Sequence, residues 1–321
     1  KKIAEHDGFV LALHDTTELD FTTRESLTDR GQIGNGSHQG WLCHNTLIVD
    51  PKQREVMGLA SQILHGRPIT EKKETVAEKR NREDRESLLW LQGVKSLPSN
   101  RMIVDVCDRG ADTFEFLEHE VNSGRTFVVR SSHDRSACCG HDPGAQKGML
   151  HDLARSLPSL GQWTMKVASL KQKKTVRKTV DGKRTSQKVL IDRKSREAVL
   201  HVSASPVMVL APKRKRGKHG KTPLAMWVVR VWEPHPPEGV EPLEWILLTN
   251  HECPDFEPAQ RVKTWYECRW ILEEFHKGQK TGCGIENPQF TSSDRLHPMI
   301  GLLSVVACSL LNLRELSRRD D

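Results

Sequence analysis

Among these 321 residues no apolar run approaches the roughly 20 that a membrane-spanning helix needs, and residues 1 to 30 lack a signal-peptide layout. A membrane partner is therefore not expected, and a cytoplasmic location is. The eight cysteines, Cys43, Cys107, Cys138, Cys139, Cys253, Cys268, Cys283 and Cys308, form no C-x-x-C pair and no Cys/His cluster at zinc-ligand spacing. That argues against a zinc module or a disulfide scaffold and for free thiols in a reducing compartment. Cys138-Cys139-Gly140-His141 comes nearest to a metal motif, yet adjacent cysteines cannot easily aim both sulfurs at one ion. With 36% hydrophobic and 28% charged residues the composition is globular, which excludes a disordered chain. The length suits about two domains, or one with a large insertion.

What is present is positive charge, and it is concentrated. The net charge is +7 and the pI about 9.0. From Lys171 to Lys221 there are 17 Lys and Arg against three acids, Asp181, Asp192 and Glu197, so this segment carries +14 and the remainder −7. A polyanionic partner fits such a stretch, through Lys171, Lys173, Lys174, Arg177, Lys178 and Lys213 to Arg216. A solvated loop would have the same composition.

Phe9 to Asp15 reads as a buried strand ending on an acid. Residues 31 to 40 read as a loop, and Trp41 to Val49 and Glu55 to Leu64 as two further strands of an antiparallel meander. A helix is expected within 71 to 97. The apolar run Arg101 to Asp108 predicts a strand, Ala111 to Asn122 a helix and Thr126 to Arg130 another strand. Together these give the α/β pattern of a mixed sheet with helices on its faces. Residues 135 to 250 break the pattern with strand-like runs at Val199 to Leu210, Trp227 to Trp232 and Trp245 to Thr249. The expected organisation is thus a first core segment (1–134), a β-rich basic insertion (135–250) and a second core segment (251–321). That last segment holds a long helix from about Glu257 to Lys280 and an apolar helix from about Pro298 to Leu316.

Asp15 and Asp108 are expected at strand ends, and Glu273 on the late helix. Carboxylates at a sheet edge stay reachable by ions and substrate, and an oxygen-only donor set suits Mg²⁺ or Mn²⁺. Asp105, Asp112 and Glu274 compete for the same roles, and spacing alone does not choose among them. On a regular helix, at about 100° per residue, Tyr266, Arg269, Glu273, Lys277 and Lys280 share one face, with Cys268, Ile271 and Phe275 nearly opposite. Such a face can hold a metal and phosphates together, and i,i+4 ion pairs on a solvated helix would give the same pattern.

The run Tyr266-Glu-Cys-Arg269-Trp-Ile-Leu-Glu273-Glu-Phe-His-Lys277-Gly-Gln-Lys280 resembles the Tyr-x2-Arg-x3-Glu-x6-Lys signature of the insertion-sequence-four family of DDE transposases. These are the cut-and-paste enzymes of bacterial mobile elements. His14-Asp15-Thr16-Thr17 resembles that family's first-aspartate motif, and Val106-Cys107-Asp108-Arg109-Gly110-Ala111-Asp112 its second, which picks Asp108 over Asp105. The similarity runs from about Val10 to Glu315.

The resemblance implies a ribonuclease-H-like mixed sheet with flanking helices, interrupted by a β-rich insertion before the Glu-bearing helix. It implies three acids, Asp15, Asp108 and Glu273, holding Mg²⁺ or Mn²⁺ as two ions. They would hydrolyse and transesterify phosphodiesters through nicking, hairpin formation, hairpin opening and strand transfer. Arg269 and Lys280 would grip phosphates, Tyr266 would hydrogen-bond one, and Lys277 would help. Trp245 matches the family's base-stacking tryptophan, with Trp270 part of the same pocket. Arg109, Arg130 and His133 are further DNA-contact candidates. The implied partner is double-stranded DNA, as transposon ends and target, bound by a homodimer in a synaptic complex. Family members generally carry an N-terminal end-binding domain and some a C-terminal dimerisation region. The chain is therefore expected to be a catalytic fragment or an incomplete gene product. A DDE-type nuclease, or a domesticated DNA-binding protein without strand transfer, is the alternative. A pure binder gains nothing from three acids beside phosphate.

Overall fold

In the computed structural model, which describes all residues except 1–5, 7, 35, 69–74, 99–101, 141, 143, 145–146, 181–182, 214–218 and 318–321, the first apolar run forms β1 (Val10–Asp20). The strand continues five residues beyond Asp15, so Asp15 lies within a strand and not at its end. The cause is a long antiparallel partner, β3 (Gln39–Asp50), which pairs with β1 from Leu11↔Val49 to Asp20↔Gly40. A two-residue β2 (Gly31–Gln32) and β4 (Glu55–His65) also pair with β3, completing the expected meander.

The helix expected within 71 to 97 is two helices. α1 (Val76–Asn81) starts at a reciprocal capping box between Thr75 and Glu78, and α2 (Leu89–Lys95) follows a single 3-10 turn. Next come β5 (Ile103–Cys107), α3 (Phe114–Ser123) and β6 (Thr126–Arg130). α3 is capped by Thr113 and stops at Gly124, whose φ of 67° is left-handed. All five residues of β5 are buried, as befits a parallel strand covered on both faces.

The middle segment is β-rich as expected: β7 (Ser136–Cys139), β8 (Lys147–Met149), β9 (Gly161–Val167), β10 (Leu170–Val180), β11 (Lys183–Arg193), β12 (Arg196–Val209), β13 (Leu224–Trp232) and β14 (Glu244–Thr249). It also holds one short helix, α4 (Leu150–Ser156), which buries Leu150 and Ala154. Twelve strands make one mixed sheet in the order β2-β3-β1-β5-β6-β14-β13-β12-β7-β8, with β4 on β3 and β9 on β12. β1, β5 and β6 are parallel, and the other pairings among the described residues are antiparallel.

The long helix expected near 257 to 280 is α5 (Phe256–Glu267) and α6 (Trp270–Lys277), joined by a tightened turn and followed by a π turn at Gly278–Gly282. In the joint, the amides of Cys268, Arg269, Ile271 and Leu272 each donate to the carbonyl three residues back. α7 (Ser293–Ser317) closes the chain. Ser293–Glu315 is long and apolar enough to cross a membrane by length and composition, contrary to the expectation of no such run.

Helices cover both faces of the sheet. On one face α5, α6 and α7 contribute Val262, Trp265, Phe275 and Leu311 to a core with Leu11, Leu13, Val104 and Val106. On the other, α2, α3 and α4 contribute Val94, Phe116 and Leu150 to a core with Cys107, Phe127 and Val129. Complete burial of an aliphatic side chain of this size contributes about 1.5–3 kcal/mol.

Candidate active site

Register creates the site. The parallel ladder between β1 and β5 runs from Val10↔Ile103 to His14↔Cys107 and stops there. Asp15 follows His14 within β1 and Asp108 follows Cys107 just past the end of β5, so they emerge side by side where the parallel ladder ends. Each carboxylate is held by a nearby amide: Thr16 N donates to Asp15 Oδ1 at 2.8 Å, and Gly110 N donates to Asp108 Oδ1 at 2.9 Å. Gly110 is required by a close approach, since a Cβ there would collide with the six-membered ring of Trp90.

Glu273 reaches the aspartates through Arg269. The Arg269 guanidinium donates from Nη1 to Asp15 Oδ2 at 3.0 Å and from Nη2 to Glu273 Oε1 at 2.5 Å. Arg269 sits in the tightened turn between α5 and α6, over the ring of Tyr266 at 5.9 Å. Burial works against its charge, and Tyr266, Glu273 and Asp15 outweigh burial and hold the group protonated. Cys268, Ile271 and Phe275 are buried as expected.

The expected single face is altered at its ends. Tyr266, the only tyrosine in the chain, is buried. Lys277 is exposed. Lys280, carried by the π turn, lines a cleft beside Asp15 with Thr16, Thr17, Glu18 and Trp90, its Nζ 3.7 Å from Glu286 Oε1.

The site carries more negative charge than its own cation balances. Burial first, and then the Asp108 charge, push the Asp15 carboxyl up to about 6, with Arg269 and the Thr16 amide opposing. Burial also raises Asp108, against the Gly110 amide and Arg269. Three carboxylates facing one guanidinium are an oxygen-only donor set of the kind Mg²⁺ or Mn²⁺ takes, and a divalent cation would relieve the repulsion that lifts Asp15. As the side chains stand, no three His, Cys, Asp or Glu among the described residues are grouped to hold a metal ion. Arg269 occupies the position between Asp15 and Glu273.

The competing acids have structural duties. Asp105 is fully buried and takes a two-point ion pair from Arg125, at 2.7 and 3.0 Å, and a 2.8 Å contact from His14 Nε2. Asp112 accepts the amides of Ser132 and His133 and pairs with Arg135, pinning the segment after β6. Glu274 pairs with Arg314 of α7.

Trp245 on β14 is half-buried against Tyr266, ring centroids 6.2 Å apart, while Trp270 is 58% exposed on α6. Arg109 is exposed beside Asp108. Arg130 donates to the Glu244 carbonyl at 3.3 Å, which engages it in holding β6 to β14. Lys171, Lys173, Lys174, Arg177 and Lys178 fall on β10, and Arg214 to Arg216 lie outside the described residues, as does His141. Cys138 is buried and Cys139 exposed, so the adjacent thiols face opposite ways.

Sequence reading missed a buried polar layer behind the acids. Thr46 Oγ1 contacts His14 Nδ1 at 3.1 Å and Thr16 Oγ1 contacts His44 Nδ1 at 2.9 Å, tying β1 to β3 on either side of Asp15. Asn45 Nδ2 meets His276 Nε2 at 3.1 Å, and Asn45 Oδ1 accepts from Gln62 at 2.9 Å. Burial holds His44 well below its ordinary range and takes His276 to about 3, so both imidazoles are neutral. His276, one turn after Glu273, anchors α6 to β3. The signal was the polar run His44-Asn45-Thr46 inside an apolar strand. No family model matches the chain.

Proposed function

We propose that this protein is the catalytic part of a metal-dependent DNA transposase, with a ribonuclease-H-like core and Asp15, Asp108 and Glu273 as its acids. One observation carries the reading. Carboxylates from two neighbouring parallel strands and a distant helix converge on one guanidinium, Arg269, and carry more charge than it neutralises. The competing acids are instead held by structural partners, Asp105 by Arg125 and His14 and Asp112 by Arg135.

Asp15, Asp108 and Glu273 would hold two Mg²⁺ or Mn²⁺ ions, which when bound activate an attacking oxygen and stabilise the leaving one. The rest falls to the chain's own residues. Arg269 offers a planar fork that suits a phosphate as well as it suits two carboxylates. When a DNA phosphate takes the fork, Asp15 Oδ2 and Glu273 Oε1 become available as donors. Tyr266 supports the guanidinium from below, and Lys280 and Lys277 add charge along the same path. Trp245 and the exposed Trp270 supply aromatic faces for a base displaced at the sharp turn of a hairpin. The partners on this reading are double-stranded DNA at transposon ends and target, and a second subunit in the synaptic complex.

The test incubates the protein with pre-nicked end duplexes and Mg²⁺ and looks for a hairpin product. Glu273→Gln and Asp108→Asn are expected to lower product formation on the order of 10³-fold or more while leaving DNA binding in place. Equal product from wild type and variants sinks the assignment. Mg²⁺-dependent nicking without any hairpin makes the protein a DDE-type nuclease.

A further inference from the structure

At helical spacing Leu272, Phe275 and position 279 fall on the core-facing side of the Glu273 helix, and on α7 Ile300, position 304, Ala307 and Leu311 do the same. Each stripe carries one polar residue, Gln279 and Ser304, and both are fully buried. They meet: Gln279 Nε2 donates to Ser304 Oγ at 2.8 Å. Gln279 Oε1 has no partner among the described residues, so this one bond orients the amide.

Ser304 is the hub of a closed set. Its hydroxyl donates to the Ile300 carbonyl at 2.7 Å and accepts from Gln62 Nε2 of β4 at 2.7 Å as well as from Gln279, which uses its one donor and both acceptor positions. Gln62 directs its second N–H to Asn45 Oδ1 at 2.9 Å, and Asn45 Nδ2 donates to His276 Nε2 at 3.1 Å. Directional bonds thus join α7, β4, β3, α6 and the π turn. An apolar layer would pack α7 on α6 equally well, but it would not fix their register, because apolar contact has no direction and hydrogen bonds do.

The π turn is where this register matters. Cys283 N donates to Gly278 O at 2.8 Å, an i→i+5 bond that inserts one extra residue at the end of the Glu273 helix. Gln279 is drawn inward to Ser304, and its neighbour Lys280 lines the cleft beside Asp15. Lys280 Nζ lies 3.7 Å from Glu286 Oε1, which in turn accepts the Asp20 amide at the end of β1 at 2.8 Å. We propose that Gln279 and Ser304 are positioning residues for Lys280: their bond fixes the π turn so that the ammonium meets a DNA phosphate held beside Asp15. The inference rests on reading the chain as a DNA-processing enzyme, but the hold on the turn can be measured without catalysis.

Hydrogen exchange of residues 278–285 reads the turn, and hairpin formation on pre-nicked duplexes with Mg²⁺ reads Lys280. Gln279→Met keeps the length of the side chain and removes its amide. Ser304→Ala breaks the same bond from α7 and leaves the sequence of the turn untouched. Each is expected to speed exchange at 278–285 on the order of 10-fold, with exchange at 103–107 unchanged and the melting temperature within a few degrees of wild type. Gln279→Met should lower kcat/KM for the hairpin about 10-fold, and Gln279→Met with Lys280→Ala should be no slower than Lys280→Ala alone. A residue needed only for folding would instead add its own loss in both backgrounds. Unchanged exchange in both variants overturns the proposal, as does a Gln279→Met loss that persists undiminished beside Lys280→Ala. If the wild type makes no Mg²⁺-dependent product, the catalytic reading falls, and the exchange result by itself decides whether the bond between Gln279 and Ser304 holds the turn.

Discussion

On the proposed reading Asp15 is the residue on which the chemistry of the site would turn, because its protonation bears on both stability and metal binding. Its carboxyl is raised from 3.8 to about 6, chiefly by burial and then by Asp108. An acid raised in the folded state stabilises fully below its unfolded value, and that contribution is lost as pH rises through the folded value. In EDTA, Asp15 therefore makes the protein less stable at pH 7 than at pH 5. Asp15→Asn keeps an oxygen for the Thr16 amide and Arg269, and should shrink that difference and raise the denaturation midpoint at pH 7. An unchanged pH dependence in the variant would refute the assignment. Activity should behave in the opposite sense, falling below about pH 6 as the carboxyl is protonated. Because metal competes with the proton, the acid limb should move to lower pH as Mg²⁺ is raised from 1 to about 20 mM. Arg269→Lys tests the other partner: a point charge cannot fork two carboxylates, so hairpin formation should drop about 10²-fold while the fold persists.

At the scale of elements, β5 and its neighbours show what the sequence could convey. The apolar run to Asp108 and the face shared by Arg269 and Glu273 were legible because strand alternation and helix phase are local. The extension of β1 past Asp15 was not, because it depends on β3, which lies 24 or more residues later and supplies the partner for each added rung. The choice between Asp105 and Asp108 rested on the motif resemblance, since local spacing does not make it. Asp105 lies within the buried strand and Asp108 just past its end, both acids beside aliphatics, and the distant Arg125 and His14 mark Asp105 as structural. Arg125→Met leaves Asp105 buried with His14 as its hydrogen-bond partner and the buried Glu120 carboxyl nearby, and should cost about 3–5 kcal/mol, read from urea midpoints. Arg125→Met with Asp105→Leu removes both charges and should recover most of that loss. If the double variant is no more stable than the single, the pair is not the clamp between β5 and the start of β6.

At the scale of the whole molecule, the segment expected to interrupt the core is woven into it. β14, the last strand of residues 135–250, pairs with β6 at Leu248↔Val129, and β13 and β12 extend the sheet from there. Val228, Val207 and Leu248 share one core with Phe116, Phe127 and Val129, and Val229, Val231 and Leu247 share the other with Val104 and Phe275. Excising residues 135–250 would strip β6 of its neighbour and open both cores at once. The excised protein should therefore show no cooperative thermal transition and should bind a hydrophobic dye, while the intact chain melts in one step. Cutting back only the two-stranded ribbon of β10 and β11, with residues 170–193 replaced by a two-residue turn, should leave that transition within a few degrees of wild type, because β10 and β11 pair with each other and with no other strand of the sheet. A cooperative, native-like melt from the excised protein would mean that the two cores are separable, and the shared sheet could not then be what holds Asp15 beside Asp108.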